Sequence, residues 1–167
     1  SFLDELIEAV HPRAIHIGHD EAFGWTVGQV SKWLKLGEVM IPAELFLRDV
    51  VRVHDYLSRR GVETWMWADM VLSPAEFPGA QTRHLHGIAA GYGKALRQQL
   101  PKDIVMCDWH YGDEQGSFPS IDIMQGEGFR VIGATWKRES TTRKFSRYAL
   151  SRHAYGLMAT TGLHGQQ

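Results

Sequence analysis

The sequence contains very little cysteine. Cys107 is the only cysteine among 167 residues, which excludes an internal disulfide and a cysteine-rich zinc site and leaves the cellular compartment undecided. Long apolar stretches are also missing, since no run approaches the roughly 20 residues of a bilayer-spanning helix. No signal peptide opens the chain either. We therefore expect no membrane partner.

An excess of charge of either sign is missing as well. The chain has 18 basic and 19 acidic residues and a formal net charge of −1, so no overall field attracts nucleic acid. A neutral substrate such as a sugar is more compatible with this balance. With 44% hydrophobic and 22% charged residues, the composition is that of a globular protein, and we expect residues 1–167 to form a single folded unit.

Short apolar runs alternate with helical patterns along the chain. The runs predict strands at about 14–18, 62–67, 103–109, 129–136 and 156–161. Amphipathic spacing predicts helices at about 2–11, 42–60, 87–100, 119–125 and 142–155. This alternation is typical of parallel βαβ units, which build either a doubly wound sheet or a (β/α)8 barrel.

Polar and aromatic side chains collect at the predicted carboxyl ends of these strands. They are His19, Asp20, Glu21, Trp67, Asp69, Asp108, Trp109, His110, Tyr111 and Trp136. In a barrel these ends converge on one mouth, where barrel enzymes hold their active sites. A complete barrel takes about 250 residues. We therefore predict an α/β fold that is a partial (β/α)8 TIM barrel, roughly its second half.

The most informative stretch is AIHIGHDEAFGW, which starts at residue 14. Its Asp20 and Glu21 are either a solvated acidic loop or a catalytic pair, because a strand that turns into a loop can aim both carboxyl groups at one pocket. Gly18 permits close approach of a ligand. Aromatic surface from His16, Phe23 and Trp25 would bury a carboxyl group and keep it protonated, as a general acid requires.

A metal cage is the alternative for the same stretch. Its candidate ligands are His16, His19, Asp20 and Glu21, with His84, His86, Asp108 or His110. The two histidines three residues apart need not share a face, and the chain has no HExxH motif. We predict no metal and no other cofactor, and we interpret His84 and His86 as loop residues and Cys107 as part of the core.

Three of the six tryptophans lie at successive strand ends. The apolar face of a pyranose stacks on an indole ring, while its hydroxyl groups meet carboxylates and amides at the rim. Trp67, Trp109 and Trp136 could form such a wall, whereas tryptophans used only for core packing would fall anywhere along the strands. The pattern favours a carbohydrate substrate.

Several segments resemble glycoside hydrolase family 20, the β-N-acetylhexosaminidases. HIGHDE resembles the family signature His-x-Gly-Gly-Asp-Glu, which places Asp20 and Glu21 on the catalytic pair and His16 on the strand histidine. TWMWADMVL, DIVMCDWHY and VIGATW resemble the segments of strands five, six and seven, with Trp67, Trp109 and Trp136 in the pocket. The resemblance implies that this chain is strands four to eight of the catalytic barrel.

The resemblance also implies a retaining, substrate-assisted hydrolysis of terminal N-acetylhexosamine (β-GlcNAc or β-GalNAc) residues. In this mechanism Glu21 is the general acid and base, and Asp20 orients the 2-acetamido group of the substrate. Substrate-binding residues would be His16, Trp67, Asp69, Trp109, Tyr111, Trp136 and Glu139. Because the nucleophile belongs to the substrate, two adjacent carboxylates are sufficient.

The chain departs from the family pattern at several positions. His19 replaces the second glycine of the signature, and Lys137 and Glu139 occur where tyrosine and aspartate are expected after the strand-seven tryptophan. The first three strands, with a substrate-binding arginine, are not in the chain. We therefore expect this chain to be part of a longer enzyme, in which the missing amino-terminal half of the barrel completes the site. This part alone should have little activity. Pairing of two copies through their open sheet edges would give a homodimer. A non-catalytic carbohydrate-binding relative and a metal-dependent barrel hydrolase are the alternatives.

Overall fold

A computed structural model describes residues 1–22, 40–78, 85–112 and 115–161. Five strands alternate with helices, as the sequence predicts. The strands are β1 (Ala14–His16), β2 (Glu63–Trp67), β3 (Val105–His110), β4 (Arg130–Thr135) and β5 (Gly156–Ala159). The helices are α1 (Phe2–Val10), α2 (Ala43–Ser58), α3 (Tyr92–Gln99), α4 (Pro119–Gly126) and α5 (Glu139–Ser151), with two single-turn 3₁₀ helices at Asp69–Val71 and Pro74–Glu76.

The five strands form one parallel sheet in the order in which they occur along the chain. Because all the strands are parallel, their carboxyl ends lie on the same side of the sheet. The sheet itself curls into a half-barrel. This confirms the predicted α/β class and is compatible with a partial β/α barrel. Among the described residues, no helix has the length and apolar character needed to cross a membrane.

Alternation along the strands separates two faces of the sheet. The convex face packs Met66, Met106 and Val131 against the helices, and all three are fully buried. The concave face carries a smaller cluster of Val105, Cys107 and Ile132, with Trp65, Trp67 and Met158 packed against it. Cys107 is fully buried and is therefore a core residue, as predicted. Its burial raises the pKa of the thiol to about 12.

Two helices begin at residues other than those predicted. The third starts at Tyr92 rather than near residue 87, because the backbone N–H groups of His86 and Gly87 donate to the Asp69 carbonyl. A side chain at Gly87 would come within 2.8 Å of the Met70 carbonyl oxygen, so this segment lies flat against the chain after β2. The last helix starts at Glu139 rather than near residue 142.

A buried arginine fixes the segment that follows β2. The Arg97 side chain is 1% exposed and donates to Glu76, to Glu127 and to the backbone carbonyl of Val71. Charge-assisted bonds to two carboxylates satisfy a group that would otherwise be costly to bury. The loop that leaves β2 at the mouth of the half-barrel is therefore tied to α3 and to the end of α4.

Candidate functional site at the carboxyl ends of the strands

The loop after β1 has an unusual backbone. Gly18, His19 and Glu21 have φ values of 75°, 66° and 49°, in the left-handed region that only glycine adopts without cost. Such strain in non-glycine residues persists only where surrounding contacts impose it, and it is concentrated at functional sites. The loop that carries both predicted catalytic carboxylates is therefore held by specific contacts.

His19 supplies one of these contacts. Its Nε2 atom lies 3.0 Å from Oδ2 of Asp49 on α2, and its Nδ1 atom lies 3.0 Å from the carbonyl oxygen of Ile17. The edge of its ring faces Phe46 of the same helix. The Nε2 atom thus anchors the loop to α2, and the Nδ1 atom contacts the backbone of the loop's own segment. Within the described ranges, no three side chains of histidine, cysteine, aspartate or glutamate are grouped to hold a metal ion.

Asp69 supplies the second contact. Its side chain is fully enclosed, and Oδ2 accepts a hydrogen bond from the backbone N–H of Glu21 at 2.8 Å. The same oxygen lies 2.8 Å from Nδ1 of His86. We predicted Asp69 as a substrate-binding residue, and this stays a prediction; in the structure its enclosed Oδ2 atom holds the carboxylate-bearing loop in place.

The two predicted catalytic carboxyl groups have raised pKa values. Partial burial raises the pKa of Asp20, and the negative charge of Asp69 raises it further, against the lowering effects of a backbone hydrogen bond and of His19 and His86. Partial burial also raises the pKa of Glu21, which His86 opposes and Asp20 and Asp69 reinforce. Both side chains still reach solvent. A glutamic acid that holds its proton more tightly than usual and reaches solvent has properties that a general acid requires.

Aromatic rings line the same edge of the sheet. Trp109 stacks on Tyr111 with ring centroids 4.9 Å apart, and Tyr111 meets Trp136 edge-on at 5.6 Å. Trp67 packs separately against His16 at 4.5 Å. The predicted wall of three tryptophans is therefore a row of Trp109, Tyr111 and Trp136, with Trp67 beside the strand that carries the carboxylates. Burial raises the pKa of Tyr111, and the nearby carboxylates add to this effect.

His16 lies at the end of β1 beneath the loop. Its Nδ1 atom accepts the backbone N–H of Gly18 at 3.1 Å, so a neutral ring carries its proton on Nε2. Burial lowers the pKa of His16, with the charge of His19 in the same direction. Its Nε2 atom is enclosed without a hydrogen-bond partner among the described residues. His16 therefore offers one unused donor close to Trp67.

Other residues named from the sequence lie elsewhere. Glu139 is in the first turn of α5, where its side chain is 83% exposed and forms an ion pair with Arg143. Asp108 and His110 lie on the convex face, where both contact Ser120 of α4. His84, Phe23 and Trp25 lie outside the described residues.

Two functional residues were missed by reasoning from the sequence. His86 was interpreted as an ordinary loop residue, but it contacts Asp69, and its ring lies 5.7 Å from that of Trp109. Asp49 was not considered, although it anchors His19. Both contacts join distant segments, so only the position of His86 in the segment that follows β2 and Asp69 could have indicated its role.

The described residues define an α/β half-barrel with carboxylates and aromatic rings at the carboxyl ends of its strands. Neither a scan of the chain against models of protein families nor a search of curated proteins finds a match.

Proposed function

We propose that this chain carries the acid and the assisting carboxylate of a retaining, substrate-assisted exo-β-N-acetylhexosaminidase that resembles glycoside hydrolase family 20. The observation that carries the proposal is the placement of Asp20 and Glu21. Both lie directly after β1, both have raised carboxyl pKa values, and a row of aromatic rings lies along the same edge of the sheet.

In the first step, Glu21 donates its proton to the glycosidic oxygen. The carbonyl oxygen of the 2-acetamido group attacks the anomeric carbon, the bond to the leaving group breaks, and the leaving group departs as an alcohol. The product of this step is a cyclic oxazolinium ion. Asp20 accepts a hydrogen bond from the acetamido N–H, orients the group for attack and stabilises the positive charge that develops on it.

In the second step, the Glu21 carboxylate removes a proton from water. This water attacks the anomeric carbon from the face that the leaving group vacated, so the ring of the oxazolinium opens and the acetamido group is restored. The released sugar keeps the β configuration, and Glu21 is protonated again. A raised pKa suits both duties, because it makes the group hold its proton more tightly as an acid and makes its carboxylate a stronger base after it loses that proton.

The aromatic row would hold the sugar ring. Trp109, Tyr111 and Trp136 form a row of rings in contact along the sheet edge, and an apolar aromatic surface of this kind suits the apolar face of a pyranose. Trp67 and the Nε2 proton of His16 lie near the carboxylate loop, where the acetamido group would be bound. Contacts to that group at this position would favour N-acetylhexosamines over plain hexoses.

We further propose that β1 to β5 are strands four to eight of an eight-stranded barrel. In this proposal about three further βα units close the barrel and add sugar contacts, and the half-barrel alone has little or no activity. The proposal is therefore tested on the longest natural reading frame that includes this chain.

Removal of the acid tests the assignment directly. Glu21→Gln should lower kcat/KM on 4-nitrophenyl N-acetyl-β-glucosaminide by about 10² to 10⁴, the range for loss of a general acid. The loss should be smaller on the 2,4-dinitrophenyl glycoside, because that leaving group departs without protonation. Glu8→Gln, which changes an exposed carboxylate on α1, is the matched control. Equal turnover by wild type and Glu21→Gln would exclude Glu21 as the acid.

A second candidate function is carbohydrate binding without catalysis, which the aromatic row favours. In that case the same reading frame shows no turnover, yet N-acetylglucosamine quenches tryptophan fluorescence and Trp109→Ala abolishes the quenching. Loss of turnover on chelation, with recovery on addition of zinc, would instead support a metal-dependent hydrolase.

A further inference from the structure

Asp69 and His86 are joined through both backbone and side chain. The backbone N–H of His86 donates to the Asp69 carbonyl oxygen at 2.8 Å, and the ring Nδ1 lies 2.8 Å from Oδ2 of Asp69. A carboxylate only accepts hydrogen bonds, so Nδ1 of His86 carries a proton. These two contacts fix the direction in which the enclosed Asp69 carboxylate points.

The orientation of the Asp69 carboxylate determines the backbone conformation of Glu21. Oδ2 of Asp69 accepts the Glu21 N–H at 2.8 Å, across 48 positions of the sequence. Glu21 has a φ of 49°, a conformation that costs a residue other than glycine about 1 to 2 kcal/mol. A hydrogen bond to a buried carboxylate offsets such a cost. Asp69 therefore holds Glu21 in this left-handed backbone conformation.

The ring of His86 lies between this carboxylate and the aromatic row. Its side chain is 14% exposed and its centroid is 5.7 Å from that of Trp109. Among the described residues, the titratable groups near it include the carboxyl groups of Asp69, Asp20 and Glu21. When His86 is protonated, its positive charge lowers the pKa values of the Asp20 and Glu21 carboxyl groups, which opposes the effect of burial.

We propose that Asp69 and His86 form a positioning dyad for Glu21: Asp69 holds the backbone of the acid, and the His86 ring, bound to the same Asp69 oxygen, brings a positive charge next to the acid when it is protonated. Neither residue contacts the reacting atoms. The catalytic significance of the dyad rests on the function proposed above, whereas its structural and electrostatic part does not.

A pH titration of the Glu21 carboxyl carbon by NMR tests the dyad without reference to activity. The Glu21 signal is assigned by its disappearance in Glu21→Gln. In His86→Gln the midpoint should move upward by about 0.5 to 1 pH unit, because a nearby positive charge is lost. His86→Lys restores a positive charge and should return the midpoint toward the wild-type value. An unmoved midpoint in His86→Gln overturns the proposal.

A matched control distinguishes this effect from the loss of any packed histidine. His54 is buried at the opposite end of the strands, where it contacts Thr64 and Asp103. His54→Gln should lower stability and leave the Glu21 midpoint in place. If His86→Gln does not fold, His86→Asn, whose amide N–H can still donate to Asp69, takes its place: its Glu21 midpoint must also lie above that of the wild type, and an unmoved midpoint overturns the dyad.

Kinetics connect the dyad to the proposed function. In the longest natural reading frame, the basic limb of kcat/KM reports loss of the Glu21 proton, so His86→Gln should move that limb upward. A purely structural role would lower the rate at every pH without moving the limb. Absence of turnover by the wild type counts against the proposed function. If the wild type is active but the basic limb lies at the same pH in the wild type and in His86→Gln, the dyad is overturned.

Discussion

The two faces of the sheet are made from the same strands but have different surroundings. On the convex face Met66, Met106 and Val131 are fully buried beneath the helices. On the concave face Trp65 and Trp67 stay partly exposed, as does Trp109 near the mouth. Three large aromatic side chains of a type that is usually buried are thus kept in contact with solvent on the concave side.

This difference shows which forces hold each region. The convex face is stabilised by close packing, whereas the mouth is held by individual polar contacts such as those from Asp49 to His19 and from Asp69 to Glu21. Packing defines a rigid scaffold, and the polar contacts hold a strained loop on it. A ligand site requires this combination, because the groups that bind must be fixed and yet accessible.

The largest effect on stability should come from the convex face. Phe145 is fully buried and packs against His110 and Phe118. Phe145→Ala should reduce the free energy of unfolding by about 3 to 5 kcal/mol through lost burial and an unfilled cavity. Trp109→Ala on the concave side should cost clearly less. Urea denaturation of both variants measures the difference, and equal losses would contradict the distinction between the faces.

A smaller effect should come from the strained loop. His19→Ala loses the bond to Asp49 and keeps a side chain in the left-handed region, so it should lower the free energy of unfolding by about 1 to 2 kcal/mol. His19→Gly loses the same bond but removes the backbone strain. It should therefore be about 1 kcal/mol more stable than His19→Ala in urea denaturation. If alanine is the more stable, the left-handed φ of 66° at this position is wrong.

The smallest effect concerns the dependence of stability on pH. Partial burial raises the folded-state pKa values of Asp20 and Glu21 above their ordinary values of 3.8 and 4.5. The folded chain therefore holds these protons more tightly, so their contribution to stability is fully present below the ordinary values and is lost as the pH rises through the raised ones. Asp20→Asn and Glu21→Gln should raise Tm at about pH 8 and leave it nearly unchanged at about pH 3. A lower Tm at the higher pH would show that these carboxylates stabilise the fold.

Much of the fold could be predicted from local pattern. Apolar runs of five to eight residues between amphipathic stretches indicated parallel βαβ units, because each unit must bury a strand and one face of a helix. Helix starts were less predictable. The first turn of the predicted third helix is replaced by backbone hydrogen bonds from His86 and Gly87 to Asp69, a tertiary effect that spacing does not encode.

The site was predictable in its residue types and not in its contacts. The positions of Asp20, Glu21 and the tryptophans followed from the rule that the carboxyl ends of parallel strands share one edge. The direction of the Asp69 carboxylate did not, because it depends on a hydrogen bond across 48 positions. Glu139 could not be placed either, since its role depends on where α5 begins.

The central claim is that the substrate's own acetamido group supplies the nucleophile while Asp20 and Glu21 assist. The most direct measurement compares hydrolysis of 4-nitrophenyl N-acetyl-β-glucosaminide and 4-nitrophenyl β-glucoside by the longest natural reading frame, with the first-formed anomer followed by proton NMR. Hydrolysis of the N-acetyl substrate alone, with the β anomer appearing first, is the predicted result. Comparable cleavage of the glucoside, or first release of the α anomer, would contradict the account.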